Sequence, residues 1–300
     1  MKILITGGAG YKGCLLTQEL LNKGNEVTVL DNFMYGHSSI MPYLSNPNFN
    51  AISKDIRTIV ENDLKEYDVI YHLAGISGYP ACENNPNSAH MINVESTKRI
   101  VNLLGRSQKL IYASTTSFYG KAGVECDEAS FCNPVSTYGI TKLQAEEICM
   151  QKENALALRF ATIFGVTQRM RPDLLLNDFV YRAMYERTLV LFDSASKRTF
   201  IHVKDAIKSY TDFAHLKGIY NVGSNDMNFS KRELADMVAK HVKFEIIEAS
   251  TPDKDKRDFI INFDKIEKEG FKITASMDEG IKELIKLYRF YNPYPVYAKI

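Results

Sequence analysis

Lys2-Ile3-Leu4-Ile5-Thr6-Gly7-Gly8-Ala9-Gly10-Tyr11-Lys12-Gly13 opens the chain, and this stretch decides the predicted fold. The apolar run over residues 3–5 predicts a buried strand, and the periodic leucines after the glycines predict a helix that ends at Gly24. Glycines at these spacings allow a sharp turn, let a ligand approach the backbone and let the helix pack against the sheet. The free N–H groups of the helix N-terminus suit a pyrophosphate. We therefore predict a dinucleotide site whose phosphate end is formed by Gly7, Gly10, Tyr11, Lys12 and Gly13.

A second apolar run, residues 27–30, ends at an acidic residue, Asp31. A carboxylate at the end of this strand can accept hydrogen bonds from both ribose hydroxyls and repels a 2′-phosphate, which favours NAD over NADP. Glycine triplets recur by chance, so a turn without a ligand is the alternative. The order of strand, glycine turn, helix and terminal acid favours the NAD site.

The composition is that of an ordinary soluble protein. The chain has 300 residues, 45% of them apolar, which suits one large domain or a main domain with a smaller lobe. A net charge of +1 without basic clusters argues against a nucleic-acid partner. No stretch approaches the roughly 18 apolar residues of a membrane span, so we expect no membrane association and a cytoplasmic location. Five cysteines without a C-x-x-C pair predict reduced thiols and no metal site.

Apolar runs alternate with helical patterns through the first half of the chain. Residues 49–52, 69–73, 109–113 and 155–160 predict strands, and residues 86–104 predict a helix. This alternation predicts an α/β fold with a Rossmann-type doubly wound parallel sheet, whose ligands lie at the carboxyl ends of the strands. The residues expected near the cofactor at that edge are Asn32, Phe33, Asp55, Ile56, Leu73, Ala74, Gly75, Asn93 and Ser114.

Two of these strand ends carry residues with competing uses. Asp55 is placed to accept from an adenine amino group, and capping a helix is an alternative that does not exclude the first. His72 lies within an apolar run, which favours a core histidine over a catalytic one. Residues 77–86 predict a loop long enough to reach over a pocket.

Candidate catalytic residues follow the fifth predicted strand. Tyr138 and Lys142 are four residues apart and so share one helical face. A nearby ammonium and a positive nicotinamide ring lower the pKa of a phenol, so Tyr138 could take a hydroxyl proton while hydride leaves the same carbon. Thr115, at the strand end, would orient the reacting oxygen, and Lys142 would also hold the nicotinamide ribose. A Y-x-x-x-K match alone is expected about once by chance in such a chain, and a surface pair on an amphipathic helix is the alternative.

Taken together, these motifs resemble the extended short-chain dehydrogenase/reductases, and more narrowly their nucleotide-sugar epimerase/dehydratase branch. The resemblance implies a tightly bound NAD that oxidises a sugar at C4 and usually returns the hydride. It also implies that Phe160 flanks the nicotinamide and that a homodimer forms through the helices near 86–104 and 138–153. The motifs that carry it are Gly7-x-x-Gly10-x-x-Gly13, Asp31, Asp55-Ile56, His72-Leu73-Ala74-Gly75, Asn93, Ser114-Thr115 and Tyr138-x-x-x-Lys142.

Basic residues in the second half predict the substrate side. The arginine cluster at residues 168–173 suits a diphosphate, with a solvated basic turn as the alternative. By the resemblance, the arginines of residues 197–205 and 255–258 grip a nucleotide-diphosphate sugar, while His202 and Asp205 are structural. The predicted substrate-binding residues are Thr115, Thr116, Arg171, Asn177, Arg198 and Arg257.

Two parts of unequal size are expected. Residues 1–165 are predicted to form the NAD-binding domain, with returning segments near 199–223. Residues 166–198 and 224–300 are predicted to form a smaller α+β lobe that binds the nucleotide sugar.

The residues after Thr115 bear on the reaction. The 4,6-dehydratases that this chain resembles carry Asp-Glu there, whereas this chain has Thr116-Ser117, and hydroxyls do not readily replace an acid and a base in an elimination. The sequence therefore favours a 4-epimerase, with a C4 dehydrogenase as the alternative and a 4,6-dehydratase ranked lower. An NAD-sensing binding module is the non-enzymatic alternative, but it would not need the Tyr138–Lys142 pair.

Overall fold

The computed structural model describes residues 1–253, 255 and 257–292. Its centre is a seven-stranded sheet in which every pairing is parallel, so the predicted fold class is confirmed. In sheet order the strands are β3 (Phe49–Ser53), β2 (Glu26–Asp31), β1 (Lys2–Thr6), β4 (Val69–His72), β5 (Lys109–Thr115), β7 (Ala155–Phe160) and β11 (Gly218–Val222).

The strand order reverses next to β1, which pairs with β2 on one side and β4 on the other. In open parallel sheets such a reversal opens a crevice at the carboxyl ends of the strands. The glycine-rich turn follows β1 at that point, so the predicted ligand site and the crevice coincide.

Alternating side chains of β1 build two core layers. Ile3 and Ile5 pack with the helices on one face, and Leu4 packs with those on the other, because successive strand residues point to opposite faces. Strands buried on both faces are typical of parallel sheets and explain the continuous apolar runs. The covering helices are α1 (Gly13–Asn22) and α7 (Val203–Asp212) on one face, and α4 (Ser96–Leu103) and α5 (Thr137–Cys149) on the other.

Two segments between β4 and β5 differ from expectation. The predicted loop 77–86 contains a short helix, α2 (Tyr79–Asn84), which Gly78 at φ +99° and Pro80 in its first turn allow to start. The predicted helix 86–104 is present as α3 (Pro86–His90) and α4, but a π-helical turn, Met91–Glu95, joins them.

The remaining elements form the smaller lobe and its connections. The core between its helices includes Phe164 and Phe200. The boundaries of the two predicted parts stay a prediction, and residues 254, 256 and 293–300 of the lobe lie outside the described residues. The remaining strands are β8 (Thr162–Phe164), β10 (Lys197–His202) and β12 (Asn228–Ser230) in one sheet, the pair β9 (Thr188–Leu191) and β13 (Glu245–Glu248), and the pair β6 (Lys121–Cys126) and β14 (Asp258–Ile261); the remaining helices are α6 (Leu175–Tyr185), α8 (Lys231–Ala239), α9 (Asp264–Lys268) and α10 (Met277–Tyr288).

Two residues that were expected to be structural hold this lobe in place. The buried Asp205 carboxylate accepts from the backbone N–H of Thr274 at 2.9 Å and of Ala275 at 3.1 Å. His202 Nε2 lies 2.8 Å from the carboxylate of Glu283 on α10. The structural assignment of both residues is thus confirmed.

The cysteines and the helix lengths bear on two expectations drawn from the composition. All five cysteines are free, and four of them are buried. Among the helices within residues 1–253 and 257–292, none combines the length and the apolar character needed to span a bilayer.

Candidate active site

Two glycines of the turn after β1, Gly7 and Gly13, lie where a side chain would clash with the backbone. Gly7 has φ +72°, and a Cβ on it would lie 2.6 Å from the backbone N of Ala74. A Cβ on Gly13 would lie 2.6 Å from Gly8 Cα. Helix α1 starts without a side-chain cap and without an acidic residue in its first turn, and although Cys14 N donates to Gly10 O at 3.1 Å, the N–H of Gly13 is left for an anion. This cradle fits the pyrophosphate of a dinucleotide.

Asp31 lies beside this turn at the end of β2. Its carboxylate accepts from Ala9 N at 3.0 Å and from Phe33 N at 2.9 Å, one bond to each oxygen. Burial raises the pKa of Asp31, and the bond from Phe33 opposes that shift. Each oxygen keeps a lone pair that a ribose hydroxyl could use. Phe33 adopts φ +54°, and Asn32 accepts from Met34 N at 3.2 Å, so the predicted adenosine loop is tightly folded.

Asp55 performs the capping role. Its carboxylate accepts from Arg57 N at 2.9 Å and forms a close ion pair with the Arg57 guanidinium, 2.6 Å to Nη2. That hydrogen bond is the main reason that the pKa of Asp55 is lowered. Ile56 is buried. An adenine amino group would therefore share a carboxylate that Arg57 already holds.

Asn93, in the π-helical turn, holds the backbone that follows β4. Its Oδ1 accepts from Ile76 N at 2.8 Å, and its Nδ2 donates to Ile76 O at 3.0 Å and to Thr141 Oγ1 at 3.1 Å. A Cβ on Gly75 would lie 2.8 Å from Asn93 Oδ1, so turn 73–75 passes close to it. The amide of Asn93 thus fixes the backbone next to turn 73–75, which borders the predicted cofactor crevice.

His72 is a core histidine, as predicted. One ring nitrogen lies 2.7 Å from Thr6 Oγ1 and the other 2.8 Å from Thr97 Oγ1. Burial, together with the charge of Lys142, lowers its pKa to about 3. The ring is therefore neutral at physiological pH and locked in the sheet.

Ser114 is tied into a buried ion pair. Its hydroxyl donates to Glu146 at 2.5 Å, and the same carboxylate accepts three further bonds from Arg159, at 2.6 and 3.1 Å to one oxygen and at 3.1 Å to the other. All three side chains are buried. Ser114, predicted to bind the cofactor, therefore directs its hydroxyl into the protein.

Tyr138 lies in the first turn of α5, where Ser136 caps the helix by accepting from Gly139 N at 3.1 Å. The phenol is half-buried, and burial raises its pKa. The neighbouring hydroxyls of Thr115 and Ser77 and the charge of Arg257 oppose that rise. The predicted base and the predicted orienting hydroxyl therefore face each other.

Lys142 lies one turn along α5 from the phenol. Burial lowers its pKa to about 8, and its Nζ lies 4.0 Å from the centroid of the Tyr112 ring. We expected this ammonium to lower the pKa of Tyr138. In the structure Arg257 also lowers the pKa of Tyr138, and the effect of Lys142 on the phenol stays a prediction.

Arg257 reaches the catalytic residues. Its Nη1 donates to Ser117 Oγ at 2.7 Å, and Ser117 Oγ in turn accepts from Thr115 Oγ1 at 2.9 Å. Its Nε and Nη2 hold both oxygens of Asp255, at 2.8 and 2.5 Å. The late arginine therefore lies close to Tyr138 and Thr115.

Arg198 lies behind Arg257 and is only 3% exposed. Its Nη1 donates to Lys197 O at 2.8 Å, and its Nη2 lies 3.5 Å from Asp255, the carboxylate that Arg257 already holds. Burial, then the charge of Arg257, lowers the pKa of Arg198 to about 10. Two guanidinium groups on one carboxylate leave an excess of positive charge that suits a diphosphate.

Arg171 lies on the other side of the phenol. Its Nη1 donates to Ser77 Oγ at 3.1 Å, and it pairs with Asp173. Asn177 is 0% exposed and accepts from Gly165 N at 3.1 Å while donating to Arg171 O at 2.9 Å. The structure does not bring Asn177 to the surface of the cleft, and its amide instead positions the segment that carries Arg171.

Tyr11, Thr116 and Phe160 line the floor of the crevice. Tyr11 donates its hydroxyl to Gly165 O at 2.7 Å and so links the glycine turn to the second half of the chain. Thr116 donates to Phe160 O at 3.1 Å, and both residues are buried. The Thr116 hydroxyl is therefore engaged by the main chain.

Sequence reasoning missed Ser77, Ser117 and Asp255 as functional neighbours. Ser77 follows the turn at the carboxyl end of β4, just as Thr115 ends β5, so its position at the ligand edge was a usable signal. Asp255 lies two residues before Arg257, within the predicted arginine segment, but its second partner, Arg198, is distant in sequence and meets it only in the folded chain.

Comparison with known proteins agrees with this geometry. The model of the family described as "NAD dependent epimerase/dehydratase family" matches residues 3–223. The chain is 30% identical over 230 residues to an uncharacterized UDP-glucose epimerase, YtcB, of Bacillus subtilis, covering 70% of this chain and 72% of that protein. It is 27% identical over 307 residues to UDP-glucuronic acid decarboxylase 1 of Danio rerio, covering 96% and 72%. The structure of UDP-glucuronic acid 4-epimerase from Bacillus cereus, in complex with UDP-glucuronic acid and NAD, matches with a TM-score of 0.83 and 25% identity, covering 96% of this chain and 99% of that chain.

Proposed function

The chain belongs to the NAD-dependent epimerase/dehydratase family, and from that premise we propose that it is a nucleotide-sugar 4-epimerase. The reaction would oxidise C4 of the sugar to a 4-keto intermediate and then reduce it from the other face. What carries the proposal is the meeting of Tyr138, Thr115 and Arg257 at one point of the cleft.

Tyr138 is the proposed base. It accepts the proton of the C4 hydroxyl, and Thr115 holds that oxygen by a hydrogen bond so that proton transfer is aligned. Bound NAD supplies the hydride acceptor that this family requires. Because burial raises the pKa of the phenol, the neighbouring positive charge of Arg257 is needed to stabilise phenolate.

Lys142 is the proposed ribose partner. Its ammonium is buried near the base, against Tyr112, and a pKa of about 8 keeps it mostly protonated at neutral pH. A charged donor at this depth can hold a ribose hydroxyl of the nicotinamide half and add positive potential to the cleft. The binding roles predicted for the glycine turn, Asp31 and Phe160 belong to the same proposal.

The nucleotide diphosphate is proposed to lie against Arg198, Arg257 and Arg171. Arg198 is buried and lies 3.5 Å from Asp255, a carboxylate that Arg257 already holds, so the desolvated cation would gain from an anionic ligand. The relatives named above act on UDP-sugars by their names, so UDP is the first nucleotide to test. The substrate-binding roles of Thr115, Thr116 and Asn177 are also proposals, Asn177 acting through the backbone of Arg171.

Dehydration is disfavoured by the chemistry next to Thr115. Thr116 and Ser117 present hydroxyls that are engaged by Phe160 O and Arg257. The carboxylates of Asp173 and Asp255, which lie in this region, are both ion-paired to arginines. An elimination needs a free acid and base, whereas epimerisation needs only Tyr138 and Thr115 besides the cofactor.

The test uses UDP-glucose, UDP-galactose and UDP-glucuronic acid carrying deuterium at C4, followed by mass spectrometry and NMR of the product. An epimerase returns the label to the same sugar with the C4 hydroxyl inverted and the mass unchanged. Loss of the C4 deuterium together with the hydroxyl proton would instead indicate a C4 dehydrogenase, loss of water a dehydratase, and loss of carbon dioxide a decarboxylase. GDP-, dTDP- and CDP-sugars then define the nucleotide.

A homodimer is a further part of the proposal. Met91 and Ile140, on the two helical segments near 86–104 and 138–153, are 48% and 45% exposed, so apolar surface is available for pairing. Light scattering of the wild type and of a Met91→Asp, Ile140→Asp double variant tests this assembly. A wild type that is monomeric at micromolar concentration would contradict it.

A further inference from the structure

Lys12 crosses the floor of the cofactor crevice. It is the N-cap residue of α1, and its Nζ lies 4.5 Å from the centroid of the Phe160 ring and 5.6 Å from that of Tyr210. Its ammonium donates to Tyr210 OH at 3.2 Å. The cation is thereby fixed between the glycine turn and the end of β7, next to the catalytic residues.

The charges around Lys12 are positive. Lys142 from α5 and Arg171 from the segment before α6 both face it, and Tyr210 from α7 offers a neutral hydroxyl. No carboxylate within residues 1–253, 255 and 257–292 forms an ion pair with Lys12. Burial, followed by these two cations, lowers its pKa to about 7. Burying a cation without a counterion costs free energy, so a functional role for Lys12 is worth testing.

We propose, on the basis of the proposed function, that Lys12 biases the bound nicotinamide towards its reduced state. The oxidised ring is positively charged and the reduced ring is neutral, so an adjacent ammonium disfavours NAD⁺ relative to NADH. Oxidation of C4 moves one hydride from the sugar to NAD⁺ and one proton to Tyr138, and it removes the ring charge that Lys12 opposes. The same lysine favours the keto-sugar side of the equilibrium.

The competing use of Lys12 is a simple contact with the pyrophosphate. Such a contact would strengthen the binding of NAD⁺ and NADH equally, because both carry the same diphosphate. A bias of the ring charge changes only the ratio of the two affinities. The ratio therefore separates the two roles without any sugar present.

The experiment equilibrates the purified protein with a fixed mixture of NAD⁺ and NADH and measures the bound ratio after rapid gel filtration. Lys12→Met removes the charge at nearly constant length, and Lys12→Arg keeps it. We expect the bound NADH to NAD⁺ ratio to fall about tenfold to a hundredfold in Lys12→Met, because removing the ammonium removes its screened repulsion with the charged nicotinamide ring. The ratio should fall far less in Lys12→Arg. Lys23→Met, which removes an exposed lysine just beyond the end of α1, should leave the ratio unchanged.

The wild type provides a second measurement that needs no variant. Its bound ratio should fall as pH rises through about 7, because the ammonium then loses its proton, whereas Lys12→Met should show no such change. An equal loss of both forms in Lys12→Met, or a ratio that does not respond to substitution or pH, overturns the proposal. Since no sugar is used, a failure of epimerisation leaves this result intact, and a failure here leaves the epimerase test intact.

Discussion

The two sides of the cleft differ in how fully their polar groups are satisfied. On the cofactor side, the side chains of Asn93 and Ser114 are hydrogen-bonded to other groups of the protein. On the substrate side, the guanidinium groups of Arg171, Arg198 and Arg257 are paired with only two carboxylates among the described residues. Arg198 and Arg257 share Asp255, and the Arg198 contact is the longer one, at 3.5 Å against 2.5 Å. The difference teaches that the cofactor side is, apart from Lys12, a preformed scaffold, whereas the substrate side holds charge that an anionic ligand would complete.

The largest expected effect is on the phenol between the two sides. Tyr138→Phe should lower kcat/KM of the epimerisation by about 10² to 10⁴-fold, because it removes the proton acceptor and keeps the ring. Bound NAD, measured after denaturation, should stay at the wild-type level, since the scaffold does not need the hydroxyl. Tyr67→Phe, just before the start of β4 and so at the opposite end of the strands, is the control, and an active Tyr138→Phe enzyme would remove the base from the proposal.

The scaffold side is tested next through its buried ion pair. Glu146→Ala leaves the Arg159 guanidinium buried without its partner and should lower the free energy of unfolding by about 3–5 kcal/mol, measured by urea denaturation. Glu147→Ala changes an exposed neighbour and should cost less than about 0.5 kcal/mol. A small loss in Glu146→Ala would mean that the cofactor side is not built as tightly as the contacts imply.

The same contrast explains what the sequence predicts well. Local patterns were enough for β1 with its glycine turn, for the apolar strands and for the helix that carries Tyr138, because periodicity and glycine spacing act over a few residues. They did not predict the partners of Asn93 or Asn177. The sequence gives no sign that these amides are engaged, but in the fold both donate hydrogen bonds to backbone carbonyls. Arg257 meets Ser117 across 140 positions, and no local pattern reports such a contact.

The substrate side should respond in the opposite way to the scaffold. Arg198→Met should weaken UDP binding about tenfold to a hundredfold, the usual value of a charge-assisted hydrogen bond, when measured by calorimetry. It should not lower the free energy of unfolding, because a desolvated cation with one distant carboxylate is replaced by an apolar side chain of similar length.

Arg232→Met supplies the matched control for that experiment. Arg232 is exposed and paired with Asp236 and Glu248, so its loss should change neither UDP affinity nor stability appreciably. If Arg198→Met destabilises the protein as strongly as Glu146→Ala does, then Arg198 belongs to the scaffold and the comparison between the two sides fails.

The smallest expected effect is a pH dependence carried by His72 on the scaffold side. Burial lowers its pKa to about 3, so between about 6.5 and 3 the unfolded chain binds a proton that the folded protein does not. Stability from this group is complete above about pH 6.5 and is lost as pH falls, by about 1–2 kcal/mol between about pH 7 and pH 5. His72→Gln should flatten the urea-unfolding profile by that amount, while the exposed His215→Gln should leave the profile unchanged. An equally steep profile in His72→Gln would show that another group takes up the proton and that the contacts of Thr6 and Thr97 with the ring do not hold it neutral.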